Sequence, residues 1–402
     1  MDTRHTCVWV TLLGAMLLAA GAAQAQDDRG EQKHRREIVI GEALTIRSAV
    51  LDEDRVILVG KPADYDQGKE SYPVLFLLDG NDHFHHATAL ARSLASNGLM
   101  PGLLVVGIDN TVRIRDLTPP ARDAQIIRDA PAHGGAERFR SFLARELMPW
   151  VDANFRTRPY RILVGHSLGG LFAIDSLLEQ PDLFDAYIAI SPSLQWDNRR
   201  TVERADALFQ GRKQLDAALF MTVGNEGDAL ARGVGTFASL LEEQAPPGLA
   251  WHFEPLPLES HGSVPLRGLY RGLEFVFAGW TLRNPLDTYN RFGIEGIEHF
   301  FAKSDKTYGY ARGVPQPVGA TLARELLESG RLDEVAALLT RYGERMRPPA
   351  AVVERLAAAY RERGRIDRAI DLYRQALQIN PKSEVSRRAL TELGQDFGDL
   401  VR

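Results

Sequence analysis

The most constraining feature of this chain is an apolar run that leads into the pattern Gly-x-Ser-x-Gly and then into a helix-forming segment. The run is Ile162–Val164, the pattern occupies Gly165–Gly169, and the helical stretch is Leu171–Glu179. Strand, sharp turn and helix in this order present the serine at the end of a strand, clear of the sheet. Such a turn is strained and needs glycine beside the serine. Ser167 is therefore the candidate nucleophile, and a glycine-rich turn with an incidental serine is the alternative.

The surrounding sequence alternates β-rich runs with helical segments between Glu37 and about Trp280. The candidate strands are Glu42–Val50, Asp54–Val59, Val74–Leu78, Leu103–Ile108, Ile162–Val164, Ala186–Ile190, Ala218–Val223 and Trp251–Leu256. Continuous apolar runs such as Val74–Leu78 are typical of strands buried on both faces. The pattern predicts an α/β fold, with a mostly parallel sheet that starts antiparallel and carries helices on both faces.

The first 25 residues have the pattern of a cleaved signal peptide. Arg4 precedes the apolar stretch Val8–Ala20, and Ala23-Gln24-Ala25 is a small-x-small cleavage signal. The apolar stretch, about 13 residues long, is short for a membrane span. We expect a periplasmic or secreted protein without an integral span after cleavage, and an uncleaved anchor is the alternative.

The bulk composition excludes several kinds of site. The single cysteine, Cys7, falls inside the predicted signal, so the mature chain offers no disulfide, no cysteine-ligated metal and no cysteine nucleophile. The formal net charge of −5 is well mixed along the chain and argues against a nucleic-acid partner. Stability must therefore come from an ordinary hydrophobic core.

The C-terminal part of the sequence is helical and repetitive. Gly330-Arg331-Leu332-Asp333 recurs as Gly364-Arg365-Ile366-Asp367, a shift of 34 residues, which is the tetratricopeptide period. The second copy matches that repeat at Leu356, Ala357, Tyr360, Ala369, Tyr373, Ala376 and Pro381. The first copy is degraded, with Val335 and Leu339 at the positions of Ala369 and Tyr373. An unrelated helical hairpin is the alternative.

These patterns divide the chain into a signal peptide at 1–25, a catalytic domain at 26–284, a connecting segment at 285–318 and a tetratricopeptide-like helical domain at 319–402. The aromatics of the connecting segment indicate packing rather than a free linker. Because two repeats are few for a free-standing array, we expect the helices to pack on the catalytic domain. The helical segment is also a candidate for binding a protein partner or a second copy of the chain.

A serine hydroxyl needs a base within hydrogen-bond reach, and the base needs an acid to orient it. His261 follows the last predicted strand in a small, polar loop, where the base is required; a surface histidine is the alternative. After the strand Ala218–Val223, the loop offers two acids. Glu226 is favoured because it lies nearer the strand end, and Asp228 is the alternative acid because it can instead be solvated or cap a helix.

The oxyanion hole needs two backbone N–H groups. Leu168, directly after the nucleophile, supplies one candidate, and Gly80 or Asn81, in the loop after Val74–Leu78, supplies the other. The same loop also holds several histidines and aspartates, but without metal-site spacing, so we predict neither a metal nor a cofactor.

Several segments together resemble the putative esterase family of α/β-hydrolases, which includes enterochelin-type siderophore esterases and feruloyl esterases. The matching pieces are Leu78-Asp79-Gly80, Val106–Thr111, Arg115–Pro119, the turn at 165–170, Ser191-Pro192-Ser193, Gly224-Asn225-Glu226 and Ser260-His261. The resemblance implies a cofactor-free Ser–acid–His esterase that acts on a small-molecule ester. It also implies Trp196 as a pocket wall, with core packing as the alternative.

The siderophore-esterase branch implies an arginine-lined cleft. Arg115, with Arg113 and Arg122, is the candidate for that substrate pocket, and surface ion pairs are the alternative. Three further functions stay open: an acyltransferase on the same scaffold, a peptidase, and a catalytically decayed hydrolase that binds partners through its helical repeats.

Overall fold

The computed structural model of this chain describes residues 37–346 and 349–396. The predicted signal peptide at 1–25 and the end of the helical segment, 397–402, lie outside these residues. Within the described ranges, no helix combines the length and the apolar character that a membrane crossing requires.

An eight-stranded sheet forms the centre of the larger region, with the strand order β1-β2-β4-β3-β5-β6-β7-β8. The strands are β1 Glu42–Ser48, β2 Glu53–Gly60, β3 Tyr72–Leu77, β4 Leu104–Ile108, β5 Thr157–His166, β6 Ala186–Ile190, β7 Ala217–Gly224 and β8 Leu249–Leu256. Strand β2 pairs antiparallel with β1 and β4, and all other pairs are parallel. Each predicted strand has its counterpart, and the antiparallel start is confirmed.

Helices flank this sheet. They are α1 Gly80–Ser96, α2 Arg113–Leu117, α3 Ala124–Asp129, α4 Ala136–Phe142, α5 Met148–Asn154, α6 Leu168–Glu179, α7 Trp196–Gly211, α8 Asp228–Gln244 and α9 Val264–Val276. A π-helical turn, Leu143–Leu147, joins α4 to α5, and a 3₁₀ turn, Pro181–Leu183, follows α6.

The residues of β6 show that both faces of the sheet are covered. Tyr187 and Ala189 belong to the core that also holds Phe172 of α6. Ile188, which alternates with them, faces α9 so closely that a Cβ on Gly272 would lie 2.6 Å from its Cγ2. Because successive side chains of a strand point to opposite faces, α6 and α9 lie on opposite sides of the sheet. The fold is α/β-hydrolase-like.

A separate helical region follows the sheet region. Its helices are α10 Pro285–Tyr308, α11 Gln316–Glu328, α12 Leu332–Met346, α13 Ala350–Glu362, α14 Ile366–Ile379 and α15 Glu384–Glu392. Their own core buries the predicted repeat positions, including Leu356, Ala357 and Tyr360 of α13 and Ala369 and Tyr373 of α14. Small alanines let α13 and α14 approach, and the tyrosines fill the space beside them.

The two regions meet through the aromatic side chains of the connecting segment. Tyr308 donates its hydroxyl to the Val276 carbonyl at 2.8 Å, and its ring centre lies 5.1 Å from that of Tyr160. Arg158 lies over the Tyr310 ring at 3.8 Å. Arg158 and Tyr160 belong to the amino-terminal half of β5, so this junction lies roughly 23 Å along the strand from Ser167 at about 3.3 Å per residue. The domain boundaries stay predictions.

Candidate active site

Ser167 occupies the sharp turn between β5 and α6. Its φ and ψ angles are 59° and −116°, outside the regions that serine usually adopts. A Cβ on Gly165 would lie 2.1 Å from the carbonyl oxygen of Gly169, so only glycine fits at that position. The sequence thus folds locally into a strained turn that presents the serine at the carboxyl edge of the sheet. This is the geometry of a nucleophile elbow.

The loop after β6 makes the closest polar contacts of Ser167. The Ser193 N–H donates to the Ser167 carbonyl at 3.0 Å, and the two hydroxyl oxygens lie 3.2 Å apart. Ser167 itself donates its N–H to the Ile190 carbonyl at 2.9 Å. In the described part of the chain, the Ser167 hydroxyl bonds to Ser193 and makes no hydrogen bond to His261.

His261 and Glu226 form a hydrogen-bonded pair. His261 lies in the loop between β8 and α9, and its Nδ1 bonds to Oε2 of Glu226. The imidazole is 46% exposed, whereas the carboxylate is 4% exposed. The two loops are tied together beside this pair, because Asn225 donates its N–H to the Glu259 carbonyl at 2.6 Å. A buried acid therefore orients an accessible imidazole.

Asp228, the alternative acid, lies apart from this pair. It begins α8, its side chain is 89% exposed, and it forms an ion pair with Arg232 one turn later on the same helix. Of the two acids predicted from the loop, the structure brings Glu226 to the histidine and leaves Asp228 in solvent.

His166 links the His261–Glu226 pair to the elbow. The ring centres of His166 and His261 lie 4.4 Å apart, so the imidazole of His261 packs against the residue that directly precedes Ser167. Burial lowers the pKa of His166 to about 4, and the nearby rings of His261 and His83 act in the same direction. His166 is consequently a neutral neighbour of His261 near pH 7.

Two helix N-termini offer the predicted oxyanion donors. Leu168 begins α6 and Gly80 begins α1, so the first N–H groups of both helices have no partner within their own helix. Asp82 and His83 donate to the Asp79 carbonyl. In the described residues, the N–H groups of Leu168, Gly80 and Asn81 donate no hydrogen bond to the protein.

An ion pair between the buried Asp79 and the half-buried Arg113 fixes the start of α1 beside the elbow. Asp79 has a left-handed φ of 55° and accepts from Arg113 Nε at 2.6 Å and from Asn110 Nδ2 at 2.7 Å. Arg113 also donates to the His166 carbonyl at 3.1 Å. The side chain of Asp79 is 2% exposed, so Arg113 and Asn110 satisfy an otherwise isolated buried charge. Through Arg113, Asp79 at the start of α1 is connected to His166, the residue before the elbow serine.

Arg115, a predicted pocket residue, is occupied by carboxylates of its own chain. It donates from Nη1 to Glu53 at 3.0 Å and from Nε to Asp116 at 2.7 Å. The Arg115 guanidinium is also the main reason why the pKa of Glu53 is lowered to about 2. These contacts match the alternative of structural ion pairing, and the role of Arg115 in substrate binding stays a prediction.

Trp196, the other predicted pocket residue, is half-buried at the start of α7. Its Nε1 donates to the Pro119 carbonyl at 3.3 Å, and its ring lines a cavity of about 210 Å³. Asp175 also lines that cavity, and Asp175 lies about two helical turns beyond Ser167 on α6. The role of Trp196 as a wall for substrate stays a prediction.

The histidines near the elbow form a chain of ring contacts. His83 lies 5.2 Å from His86 and 5.6 Å from His166 between ring centres, and burial lowers the pKa of both His83 and His86. Across residues 37–346 and 349–396, no three His, Cys, Asp or Glu side chains are grouped as metal ligands.

The sequence alone assigns no role to Asp79, Ser191 or Ser193, although all three lie in segments that carry the family resemblance. It predicts Arg113 as a substrate residue and does not predict the ion pair of Arg113 with Asp79. The signal that could have found them is position, since Asp79 follows β3 and the two serines follow β6 at the carboxyl edge where Ser167 lies.

The sheet order, the elbow and the histidine–glutamate pair define an α/β-hydrolase-like protein. A sequence profile described as putative esterase matches residues 48–253, roughly half of the chain, and a tetratricopeptide repeat profile matches residues 354–383. This chain belongs to the putative esterase family and carries a C-terminal tetratricopeptide segment.

Curated relatives include siderophore esterases. The chain is 33% identical over 166 residues to the ferri-bacillibactin esterase BesA of Bacillus subtilis. The aligned segment covers 37% of this chain and 57% of that protein. It is 35% identical over 174 residues to a siderophore enterobactin esterase of Emericella nidulans, covering 39% of this chain and 55% of that protein. The chain therefore spans little more than half the length of these relatives.

Among solved structures, an IroE-like serine hydrolase from Shewanella oneidensis is similar over more of the chain. The TM-score is 0.62 at 27% sequence identity, and the match covers 75% of this chain and 99% of the other. The similarity therefore extends beyond the segment that the curated relatives match.

Proposed function

We propose that this protein is an exported serine esterase that hydrolyses carboxylic ester bonds through an acyl-enzyme, with Ser167, His261 and Glu226 as its triad. One observation carries the proposal. A buried glutamate holds an accessible imidazole against the residue that precedes a strained, half-buried serine. Strain of this kind persists where the surrounding structure enforces it, and it concentrates at functional sites.

In the first step, Ser167 Oγ attacks the carbonyl carbon of the ester, and its proton passes to Nε2 of His261. Glu226 accepts the hydrogen bond from Nδ1 and stabilises the imidazolium that forms. The serine hydroxyl must turn from Ser193 to His261 for this transfer. Such a change is compatible with the site, because catalytic hydrogen bonds are often long without substrate and shorten in the complex.

The tetrahedral intermediate then needs hydrogen-bond donors for its oxyanion. The N–H of Leu168 and the N–H of Gly80 or Asn81 are the proposed donors, and the loss of one such donor costs about 3 kcal/mol of transition-state stabilisation. His261 returns the proton to the departing alcohol, which leaves an acyl group on Ser167. Water then attacks that acyl group with His261 as base, which releases the acid and restores the serine.

We further propose that the substrate belongs to the siderophore-type esters. The names of the curated relatives support this class, since two of them are a ferri-bacillibactin esterase and a siderophore enterobactin esterase. An activity screen across simple alkyl, aromatic and catecholate esters tests the proposal. A preference of at least tenfold in kcat/KM for catecholate esters is expected, and a preference for short alkyl esters would contradict it.

Export is the part of the proposal that depends on residues 1–25. Cleavage after Ala25 would leave Gln26 at the N-terminus of the mature protein. The intact mass of protein recovered from the periplasm or medium tests this step. A retained N-terminus in the cell pellet would contradict it.

Labelling with a fluorophosphonate probe tests the nucleophile. We expect the purified protein to be labelled at Ser167, and both Ser167→Ala and His261→Ala to abolish labelling. His252→Ala is the matched control for the base, because His252 lies within β8 and packs against Phe275. Labelling that survives Ser167→Ala would overturn the proposal. Transfer of the acyl group to an added alcohol in preference to water would reassign the protein as an acyltransferase.

A further inference from the structure

The segment Ser191-Pro192-Ser193 reaches both ends of the proposed triad. It directly follows β6, and Ser191 is fully buried with a left-handed φ of 44°. Its N–H donates to the Thr222 carbonyl of β7 at 2.8 Å, which fixes the backbone at this strained point. A non-glycine residue held in this region of φ points to a role for its side chain.

The side chain of Ser191 contacts the acid. Its hydroxyl donates to Oε1 of Glu226, and the Gly224 N–H donates to the same oxygen at 3.0 Å. The other oxygen, Oε2, bonds to His261. Both oxygens of a 4% exposed carboxylate are thereby directed, one toward β6 and β7 and the other toward the imidazole.

The other end of the segment contacts the nucleophile. Ser193 is 5% exposed and lies against Ser167 through two bonds, its N–H to the Ser167 carbonyl and its hydroxyl to the Ser167 hydroxyl. The rotamer of a small hydroxyl side chain is poorly restrained by packing alone. A hydroxyl partner at 3.2 Å therefore restricts the direction in which the Ser167 oxygen points.

Pro192 keeps the two serines at a fixed separation. The proline ring restricts its own φ angle, and its Cα lies so close to the elbow helix that a Cβ on Gly170 would be 2.8 Å away. The segment is consequently clamped between β7 and the start of α6. This rigidity keeps Ser191 at Glu226 and Ser193 at Ser167.

We propose that Ser191-Pro192-Ser193 sets the geometry of the triad from both ends. Ser191 is a positioning residue that orients the Glu226 carboxylate toward His261, and Ser193 holds the Ser167 hydroxyl in the resting enzyme and releases it to His261 when substrate binds. The inference rests on the proposed esterase function.

Substitutions of Ser191 test the positioning role. Ser191→Ala removes the hydroxyl, and Ser191→Gly removes it while also relieving the backbone strain. We expect both to lower kcat by 10- to 100-fold with KM within twofold of the wild type. We also expect the apparent pKa of the base in the pH–rate profile to fall, because a carboxylate that is no longer oriented toward His261 stabilises the imidazolium less. An unchanged or higher pKa, or a loss under threefold, would overturn the role.

The chain offers a matched control for these variants. Ser176 is fully buried on α6, and in the described residues its hydroxyl has no hydrogen-bond partner. Ser176→Ala should leave kcat and the pH–rate profile unchanged. If it slows the enzyme as much as Ser191→Ala does, the loss reflects packing of a buried serine and the positioning role fails.

Ser193→Ala tests the other end of the segment. We expect a three- to thirtyfold increase in the second-order rate of fluorophosphonate labelling at Ser167, because the hydroxyl no longer has to leave Ser193 before it reaches His261. Wild-type labelling runs beside it, so two failures can be told apart. If the wild type is not labelled at Ser167, the esterase function fails; if it is labelled and Ser193→Ala reacts at the same rate or more slowly, only the role of Ser193 fails.

Discussion

Residues with a positive backbone φ occur both at the carboxyl edge of the sheet and in the C-terminal helical region, but the residue types differ. At the sheet edge, Asp79, Ser167 and Ser191 have positive φ angles, and they follow β3, β5 and β6 in turn. Among the described residues of the helical region, every positive φ belongs to glycine, as at Gly330 and Gly364 after α11 and α13.

We interpret this difference as one between backbone strain that is kept for a functional side chain and turns that only end a helix. Glycine adopts a positive φ without steric cost, so it is the expected residue where a turn has only to end a helix. A side chain in the same conformation costs roughly 1–3 kcal/mol and persists where it has another function. Asp79, Ser167 and Ser191 have this conformation at the sheet edge, and all three bond to groups of the candidate active site.

Carboxylates held by serine hydroxyls occur in both regions and give the largest expected contrast. Glu226 bonds to Ser191 and His261, whereas Glu354 of α13 accepts from Ser386 at 2.9 Å and from Ser383. Glu226→Gln should lower kcat roughly 10³- to 10⁴-fold, because the imidazole loses the acid that orients it. Glu354→Gln should lower the Tm and leave kcat unchanged. Steady-state kinetics and calorimetry of both variants measure this.

Asp228→Asn is the control two residues from Glu226, at the start of α8. Its effect on kcat should stay below threefold, since Asp228 contacts Arg232 in solvent. If Asp228→Asn were the damaging change and Glu226→Gln the mild one, the acid would have been assigned to the wrong residue.

Alanine substitution of glycine should distinguish the two regions by the free energy of unfolding as well as by activity. Gly165→Ala puts a Cβ 2.1 Å from a backbone oxygen and should destabilise the fold by about 3 kcal/mol while abolishing activity. Gly364→Ala meets open space and has only the left-handed φ of 72° to accommodate, at about 1 kcal/mol, and activity should persist. Urea unfolding and ester hydrolysis check both. Equal losses of activity would remove the distinction between the regions.

Acid should weaken the sheet edge through His166. Its pKa falls from 6.5 to about 4 in the folded chain, so the unfolded chain takes up the proton first as pH decreases. The stability that His166 contributes is complete above about pH 6.5 and is lost as pH falls toward 4. The Tm of His166→Asn should therefore decline less steeply than that of the wild type between pH 6.5 and 4. Parallel Tm curves would show that His166 does not titrate in this way.

The smallest effect is expected at the junction of the two regions. Tyr308→Phe removes one buried hydrogen bond, to the Val276 carbonyl, and keeps the ring contacts with Tyr160. The free energy of unfolding should fall by about 1 kcal/mol. Because the junction lies at the opposite end of β5 from Ser167, kcat and KM should not change. A change in kcat would show that the helical region influences the catalytic edge.

Much of this architecture could be predicted because it depends on local patterns. Buried strands such as β3 are continuous apolar runs, and the tetratricopeptide positions of α13 and α14 repeat at a fixed spacing. Strand β5 is longer than predicted. Charged Arg158 and Arg161 interrupt its apolar pattern, and Arg161 satisfies its charge through an ion pair with Asp152.

The rest depends on contacts between residues distant in sequence. Glu226 and Asp228 are only two residues apart in sequence. The loop after β8 places His261 beside Glu226 and not beside Asp228. In the same way, Arg115 forms an ion pair with Glu53, which lies on β2, far earlier in the chain. Contacts between residues distant in sequence leave no local sequence pattern. The contacts of Ser191 and Ser193 could therefore be found only from the three-dimensional structure.

A crystal structure of the wild-type protein after reaction with a fluorophosphonate would test the account most directly. We predict one covalent adduct, on Ser167 Oγ. Its phosphoryl oxygen should lie within hydrogen-bond distance of the Leu168 N–H and of the Gly80 or Asn81 N–H, and Nε2 of His261 should face the modified oxygen. An adduct on a different residue, or a His261 ring turned away from Ser167 while still bonded to Glu226, would contradict the account.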